Sequence, residues 1–244
     1  MPLSSNPHSL LNKCLDFALC YFRIFQVVKI VRRKSEYQKE QILLSEYNDS
    51  SLTELMNQYG SDKGSHHGYT EIYEKILGAK KGKIKVVVEI GIGTNNPNLN
   101  SNMGVNGKPG ASLRAWRDYF SNSSVYGFDV DRNILFSEPS ILTGFVDQLS
   151  LETFEPLKKI INKPVDLVIV DGLHTPRADF NSLVKLLPFL KNDGDFFIED
   201  VGNLAINLFW PPIFSILRMR YLVKVYLSRE GTLKTGNLIH ITKK

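Results

Sequence analysis

The sequence predicts an α/β domain in which a mainly parallel sheet, covered by helices on both faces, ends in a C-terminal antiparallel hairpin. Three observations lead there. Apolar runs alternate with helical segments through the middle of the chain, the pattern of strands joined by crossover helices. The polar residues of interest gather where those runs end, as they do in open α/β sheets that bind ligands beyond the carboxyl ends of their strands. The last two runs are joined only by "EGTLKTG", too short for a crossover helix, so that pair is antiparallel.

Taken in order, residues 1–45 form a basic N-terminal extension. Its stretch Leu15 to Val31 reads as an amphipathic helix: Arg23, Gln26, Lys29 and Arg33 make a narrow polar stripe beside Phe, Leu, Ile and Val. The cations follow the apolar run rather than precede it and no cleavage site is evident, unlike a signal peptide. The run is also too interrupted for a membrane span. Such a helix either packs on protein, its own domain or a second subunit, or lies on an anionic membrane surface. Residues 46–82 form a helical substrate or cap region, broken at "YGSDKGSHHGY", and residues 83–244 the main domain. There, strands are expected over Lys85–Gly93, Ser124–Asp131, Ile141–Gln148, Val165–Gly172, Gly194–Asp200, Tyr221–Arg229 and Asn237–Lys243, seven in all. Helices are expected over Ala111–Phe120, Leu151–Ile161 and Arg177–Leu190. A parallel sheet ending in such a hairpin resembles the Rossmann-like class I S-adenosylmethionine (SAM) methyltransferase fold.

Composition sets outer limits. With 43% hydrophobic residues in 244, the chain has enough apolar material for a real core. The net charge of +5 suits nucleic acid, a phospholipid surface or a phosphorylated substrate equally. Cys14 and Cys20 make no disulfide framework and suit a reducing compartment.

The strand ends supply a cofactor site. Glu89, Gly91 and Gly93 close the first strand, where glycine lets backbone approach a ligand. Asp129 and Asp131 close the second, the usual place of an acid that holds ribose hydroxyls. Asp147 and Gln148 close the third, near where an adenine would lie. In "GIGTNN", Asn96 stands where a dinucleotide fingerprint has its third glycine, which speaks against a nicotinamide enzyme. The following "TNNPNLNSNMGVNGKPG" is long for a strand-to-helix connection and rich in Asn and Gly, as a wall or lid over the ligand would be.

The blocks "YGSDKGSHHGYTEIYEKIL", "EIGIG", "GASLRAWRDYF", "VYGFDVD", "VDQ" and "VDGLHTPRADFNSLVKLLPFLKNDGDFFIED" resemble the bacterial sugar O-methyltransferases that modify macrolides, of the mycinamicin and tylosin type. Related sequences occur in polysaccharide gene clusters, and cephalosporin-type hydroxylases share part of the pattern. The resemblance runs from about Tyr59 to Asp200. It implies SAM and a divalent metal, usually magnesium, held by Asp171, Glu199 and Asp200, with His174 as general base. Two positions depart from the family's Asp-Asp-Gly-Ser-His: Val170 replaces the first Asp and Leu173 the Ser.

The chemistry suits that assignment. Three carboxylates at neighbouring strand ends repel one another, and burial raises their pKa values; a hard cation with oxygen ligands relieves both. Chelation lowers the pKa of a sugar hydroxyl, and a histidine three residues beyond Asp171 is placed to take the proton. Asp62, Lys63, His67 and Tyr69 offer hydrogen bonds to a sugar. The leading expectation is thus a cytoplasmic, SAM- and Mg²⁺-dependent O-methyltransferase, acting on a sugar of a cell-surface or lipid-linked glycan at the inner face of the membrane and open to homo-oligomers. Its rivals are a tailoring enzyme for a glycosylated natural product and a non-catalytic SAM- or metal-binding protein. No Asn-Pro-Pro-Tyr-type block for a flipped base is present, so a nucleic-acid substrate is not expected.

Overall fold

A computed structural model describes residues 51–226 and 236–243. The expected N-terminal amphipathic helix and both cysteines lie outside these residues. Two helices lead in, α1 (Ser51–Tyr59) and α2 (Tyr69–Leu77), followed by a 3₁₀ turn, Gly78–Lys83. Then come β1 (Val86–Ile90), α3 (Ala111–Tyr119), β2 (Ser124–Asp129), β3 (Ser137–Glu138), β4 (Ile141–Phe145), α4 (Leu157–Ile160) and β5 (Val165–Val170). The chain continues through α5 (Pro176–Leu186), β6 (Leu190–Val201), a π turn (Ala205–Phe209) running into α6 (Trp210–Leu217), β7 (Tyr221–Tyr226) and β8 (Asn237–Lys243).

The sheet has eight strands in the order β3-β4-β2-β1-β5-β6-β8-β7. Pairs among β4, β2, β1, β5 and β6 are parallel; β7–β8 is antiparallel, as the short connection required, and β6–β8 is antiparallel too. The chain winds outward from β1 in both directions, which opens a crevice at the carboxyl ends beside it. The expected sheet is corrected by one strand: the two-residue β3 pairs antiparallel with β4 through Ser137 and Leu142.

Side chains alternate across each strand, and the two faces make two cores. Val86, Val88 and Ile90 join Leu183 of α5 and Trp210 and Phe214 of α6 on one side. Val87, Leu167, Ile169 and Phe197 join Leu52, Met56, Tyr73 and Trp116 of α1, α2 and α3 on the other. The helices form because their apolar positions recur at helical spacing, as at Tyr69, Ile72, Tyr73 and Leu77 in α2. Helix α5 starts sharply: the Thr175 hydroxyl accepts from the Ala178 amide and Pro176 opens the first turn.

Other expectations need correction. Leu151–Ile161 is not one helix: Leu151–Phe154 is a 3₁₀ turn, and α4 starts only after Pro156. The helix expected over Arg177–Leu190 stops at Leu186, before Pro188, and β6 begins at Leu190 rather than Gly194. Helix α6 was not anticipated. Among the described residues no helix is long and apolar enough to cross a membrane.

Candidate active site

The carboxyl ends of β1, β2, β4, β5 and β6 surround a cleft of about 470 Å³. Gly91 and Gly93 form its floor with positive φ, 86° and 82°. A Cβ on Gly91 would collide with the carbonyl oxygen of Asp171, and one on Gly93 with the Met103 side chain, so both positions need glycine. Asp129 is 7% exposed and lines the cleft. Its carboxylate accepts from the Ile92 and Asp131 amides, at 2.9 Å each, and so also fixes the turn after β1. Burial raises its pKa above the ordinary carboxylate value. Asp147 and Gln148 line the same cleft. The Gln148 carbonyl accepts from the Leu173 amide at 2.7 Å and its amide donates to Ser182 at 2.9 Å, holding the loop after β5 against α5. One wall is the Asn-rich loop, where Asn98 to Met103 face the cavity. The loop is tied by Met103 N to Thr94 O (2.8 Å), Asn95 Nδ2 to Gly107 O (3.0 Å) and Gly110 N to Ile92 O (2.7 Å).

Across the cleft, Asp171, His174 and Asp200 each offer a ligand atom within 4.8 Å of the others. His174 Nε2 lies 3.8 Å from Asp171 and 3.9 Å from Asp200, while its Nδ1 is buried without a hydrogen-bond partner among the described residues. Both His174 and Asp200 have positive φ, 55° and 53°. Non-glycine residues pay for that conformation, and it recurs where function requires it. At Asp200 it coincides with a slip in register against β8 between Ile198 and Val201, which takes Glu199 and Asp200 out of the ladder.

Behind these residues lies a buried ammonium. Lys63, 1% exposed, bonds Asp171 and Glu199 (2.9 Å) and lies 3.4 Å from Glu89. Burial opposes its charge, but Asp171, Glu199 and Glu89 outweigh burial and raise its pKa well above normal. Glu199 also accepts from the Tyr73 hydroxyl, and Asp200 from the Tyr69 hydroxyl at 2.6 Å. Burial pushes the pKa values of Asp171, Glu199 and Glu89 up, and Lys63 offsets this only partly. Four carboxylates thus face one ammonium. A hard divalent cation fits this donor set: oxygen ligands, negative charge in excess, and His174 beside it.

Several residues stand elsewhere than the strand ends alone suggested. Glu89 and Glu199 do not line the cleft. Both point to the α1–α3 side of the sheet, where Glu89 accepts from Ser112 and Trp116 at 2.9 Å each. Asp131 lies behind the floor, accepting from Thr94 and capping the turn at Asn133. Asp62 and Lys63 line the cleft. His67 stacks on Tyr69 and stands 3.6 Å from Asp62, whose pKa it lowers to about 2. Unanticipated members are Tyr73, Ser112, Trp116 and Asp179. Asp179 is 2% exposed with one carboxylate oxygen unpartnered among the described residues, and burial, then Asp171 and Asp200, raise its pKa to about 8.

No protein-family model matches the chain. It is 31% identical over 160 residues to an 8-demethyl-8-alpha-L-rhamnosyl tetracenomycin-C 2'-O-methyltransferase of Streptomyces olivaceus, across 66% of this chain and 39% of that protein. It is 30% identical over 162 residues to a demethylmacrocin O-methyltransferase of Streptomyces fradiae, across 66% and 38%. To a mycinamicin VI 2''-O-methyltransferase of Micromonospora griseorubida it is 28% identical, across 66% and 37%. The matches thus span under two fifths of these curated relatives. Among solved structures it is similar to the MycE methyltransferase from the mycinamycin biosynthetic pathway in complex with Mg and SAH. There the TM-score is 0.60 at 22% identity, over 80% of this chain and 55% of that one. The likeness shows the class I methyltransferase fold, and the relatives bear out the resemblance read from the motifs.

Proposed function

We propose that this chain is a SAM-dependent O-methyltransferase that uses a divalent cation, magnesium first, and acts on a sugar hydroxyl of a glycosylated natural product. The observation that carries this reading is the convergence of Asp171, His174 and Asp200 on the cleft framed by Gly91, Gly93 and Asp129. SAM, when bound, supplies the methyl group, and a chelated divalent cation would lower the pKa of the acceptor hydroxyl.

The chain's own residues do the rest. Gly91 and Gly93 would admit the cofactor to the backbone, Asp129 would hold its ribose, and Asp147 and Gln148 would bound its base. Asp171 and Asp200 would hold the cation at the cleft through Oδ1 and Oδ2, the oxygens that face His174, while their other oxygens stay bonded to Lys63 and Tyr69. Glu199, taken by Lys63 and Tyr73, supports them from behind with Glu89, and becomes a direct ligand only if Lys63 yields it. His174 receives the acceptor's proton at Nε2, the ring nitrogen between the two carboxylates. Asp62 and Lys63 border the sugar's side of the cavity.

The relatives are named for tailored natural products, which favours that acceptor class over a cell-surface or lipid-linked glycan and leaves polysaccharide biosynthesis without support. The gathered acids and histidine speak for catalysis over passive binding. The test is transfer of labelled methyl from SAM to rhamnosylated and other deoxyhexose-bearing aglycones, with and without EDTA. Wild type is expected to work only with the cation. His174→Ala is expected to lose roughly 10²–10⁴ in turnover, partly restored at higher pH, with magnesium affinity retained. Activity indifferent to EDTA, or a His174→Ala enzyme at the wild-type rate, would overturn the assignment.

A further inference from the structure

The helix that leaves the cleft is apolar on both sides. Residues 203–217 run through the π turn into α6 without a break. Ile206, Trp210, Phe214 and Leu217 face the sheet and are buried. The opposite side carries Leu204 (72% exposed), Leu208 (68%) and Ile216 (65%), and the turn beyond it Met219 (76%). A helix apolar all round belongs in a buried setting, and an exposed stripe of this size marks a surface that something covers.

The charge beside the stripe says what covers it. From Val201 to Arg229 the chain has no Asp or Glu, while Arg218, Arg220, Lys224 and Arg229 are cationic. Arg220 and Lys224 are exposed, with Leu222 between them 53% exposed. The basic ground continues across the sheet edge. Tyr221 pairs with Lys243, which shares one depression with Lys163 and with Lys158 and Lys191, the last two paired with Glu155 and Asp166. Apolar side chains at the centre with Arg220 and Lys224 at the rim, on a stretch whose sequence holds no acid from Val201 to Arg229, complement a bilayer surface that contains anionic phospholipid. A nucleic acid offers no apolar phase for Leu208 or Met219, and a two-fold contact between copies of this stripe would gather the cations of both into one interface with no acid from residues 201–229 to offset them.

We propose that the outer face of residues 203–217, with the turn through Leu222, docks on an anionic phospholipid surface. The apolar stripe enters the interfacial region and Arg220 and Lys224 meet the headgroups. The inference is independent of methyl transfer.

The experiment is co-sedimentation of the full chain with vesicles of phosphatidylcholine alone and of phosphatidylcholine mixed equally with phosphatidylglycerol. Binding is expected only to the mixed vesicles and should weaken as salt rises. The pairs Leu208→Ser with Met219→Ser, and Arg220→Glu with Lys224→Glu, should each lower partition by at least about tenfold with an unchanged melting temperature. Should either pair fail to fold, Arg220→Gln alone is measured, with roughly a fivefold loss expected for one cation. The proposal falls if wild type ignores anionic vesicles, if it binds an RNA duplex in their place, or if the variants bind as wild type does, which would give the membrane contact to another part of the chain. It also falls if the serine pair only converts a dimer to a monomer and leaves vesicle partition untouched.

Discussion

Strand β6 carries a buried acidic site towards each end, and the two are built alike and balanced differently. Asp195, near the start, bonds Lys80, His240 Nε2 at 2.8 Å and Thr242 at 3.1 Å. Glu199, near the finish, bonds Lys63 and Tyr73. Both lysines come from the segment that precedes the sheet, and Phe197 separates the sites, its ring 4.8 Å from Tyr73 and stacked 4.4 Å from His240. At Asp195 one carboxylate meets an ammonium and an imidazole. Burial would push its pKa up, but the bonds from His240 and Lys80 outweigh burial and hold it below the ordinary value. At Glu199 a single ammonium is shared with Asp171 and Glu89, Asp200 adds a fourth carboxylate, and burial prevails. A closed account of charge marks a structural site; an excess of one sign marks a site that expects a ligand.

The largest effect is expected from Lys63→Met. It leaves Glu89 and Glu199 buried without their cation and should cost about 3–5 kcal/mol in urea unfolding, with added magnesium recovering part of it. A loss below about 1 kcal/mol would mean that the cluster is not organised around Lys63. Asp195→Asn should cost about 1–3 kcal/mol, the price of imperfectly met buried donors, and magnesium should recover none of it. Recovery there would erase the distinction between the two sites.

A pH series sharpens the comparison from a neighbouring group. Asp179 sits near 8 in the folded chain, against about 4 for a free aspartate. Its folded pKa is raised, so it contributes less stability as pH climbs from about 4 towards 8. Asp179→Asn should remove that decline, a difference of about 1 kcal/mol over one pH unit, read as melting temperature between pH 5 and 8. Identical slopes in the two proteins would show that Asp179 is already ionised. Lys80→Met should have the smallest effect, about 0.5–1 kcal/mol, because the ammonium is partly solvated; a loss as large as that of Lys63→Met would make the two ends equivalent.

Much of this organisation is legible in the chain itself. The alternation of apolar runs and helices, the short final linker and the polar strand ends suffice for the fold and for Gly91 and Asp129 at strand ends; the grouping of Asp171, His174 and Asp200 is what the resemblance implied, and the folded chain brings the three within 4.8 Å. What escapes is which way a strand-end acid points. Glu89 stands two residues after Val87 and Glu199 two after Phe197, so the period of two already places both on the side of α1–α3. The donors that wait there, Lys63, Tyr73 and Trp116, come from distant positions that only the folded chain brings together. The slip at Glu199–Asp200 depends on pairing with β8, which follows more than thirty residues later. Helix α6 opens on "WPPIF", whose prolines stand in its first turn, where they cost a helix little.

The contact of Gly91 with the Asp171 carbonyl joins the two halves of the cleft mechanically. The Asp171 amide also donates to Ile90 O at 2.8 Å, so the turn that floors the proposed cofactor side and the residue proposed to meet the cation have no slack between them. Pressure on one is felt by the other. If both bind as proposed, thermodynamic reciprocity demands that whatever factor the cofactor imposes on cation affinity, the cation returns on cofactor affinity. The joint that carries this exchange is a missing methyl group.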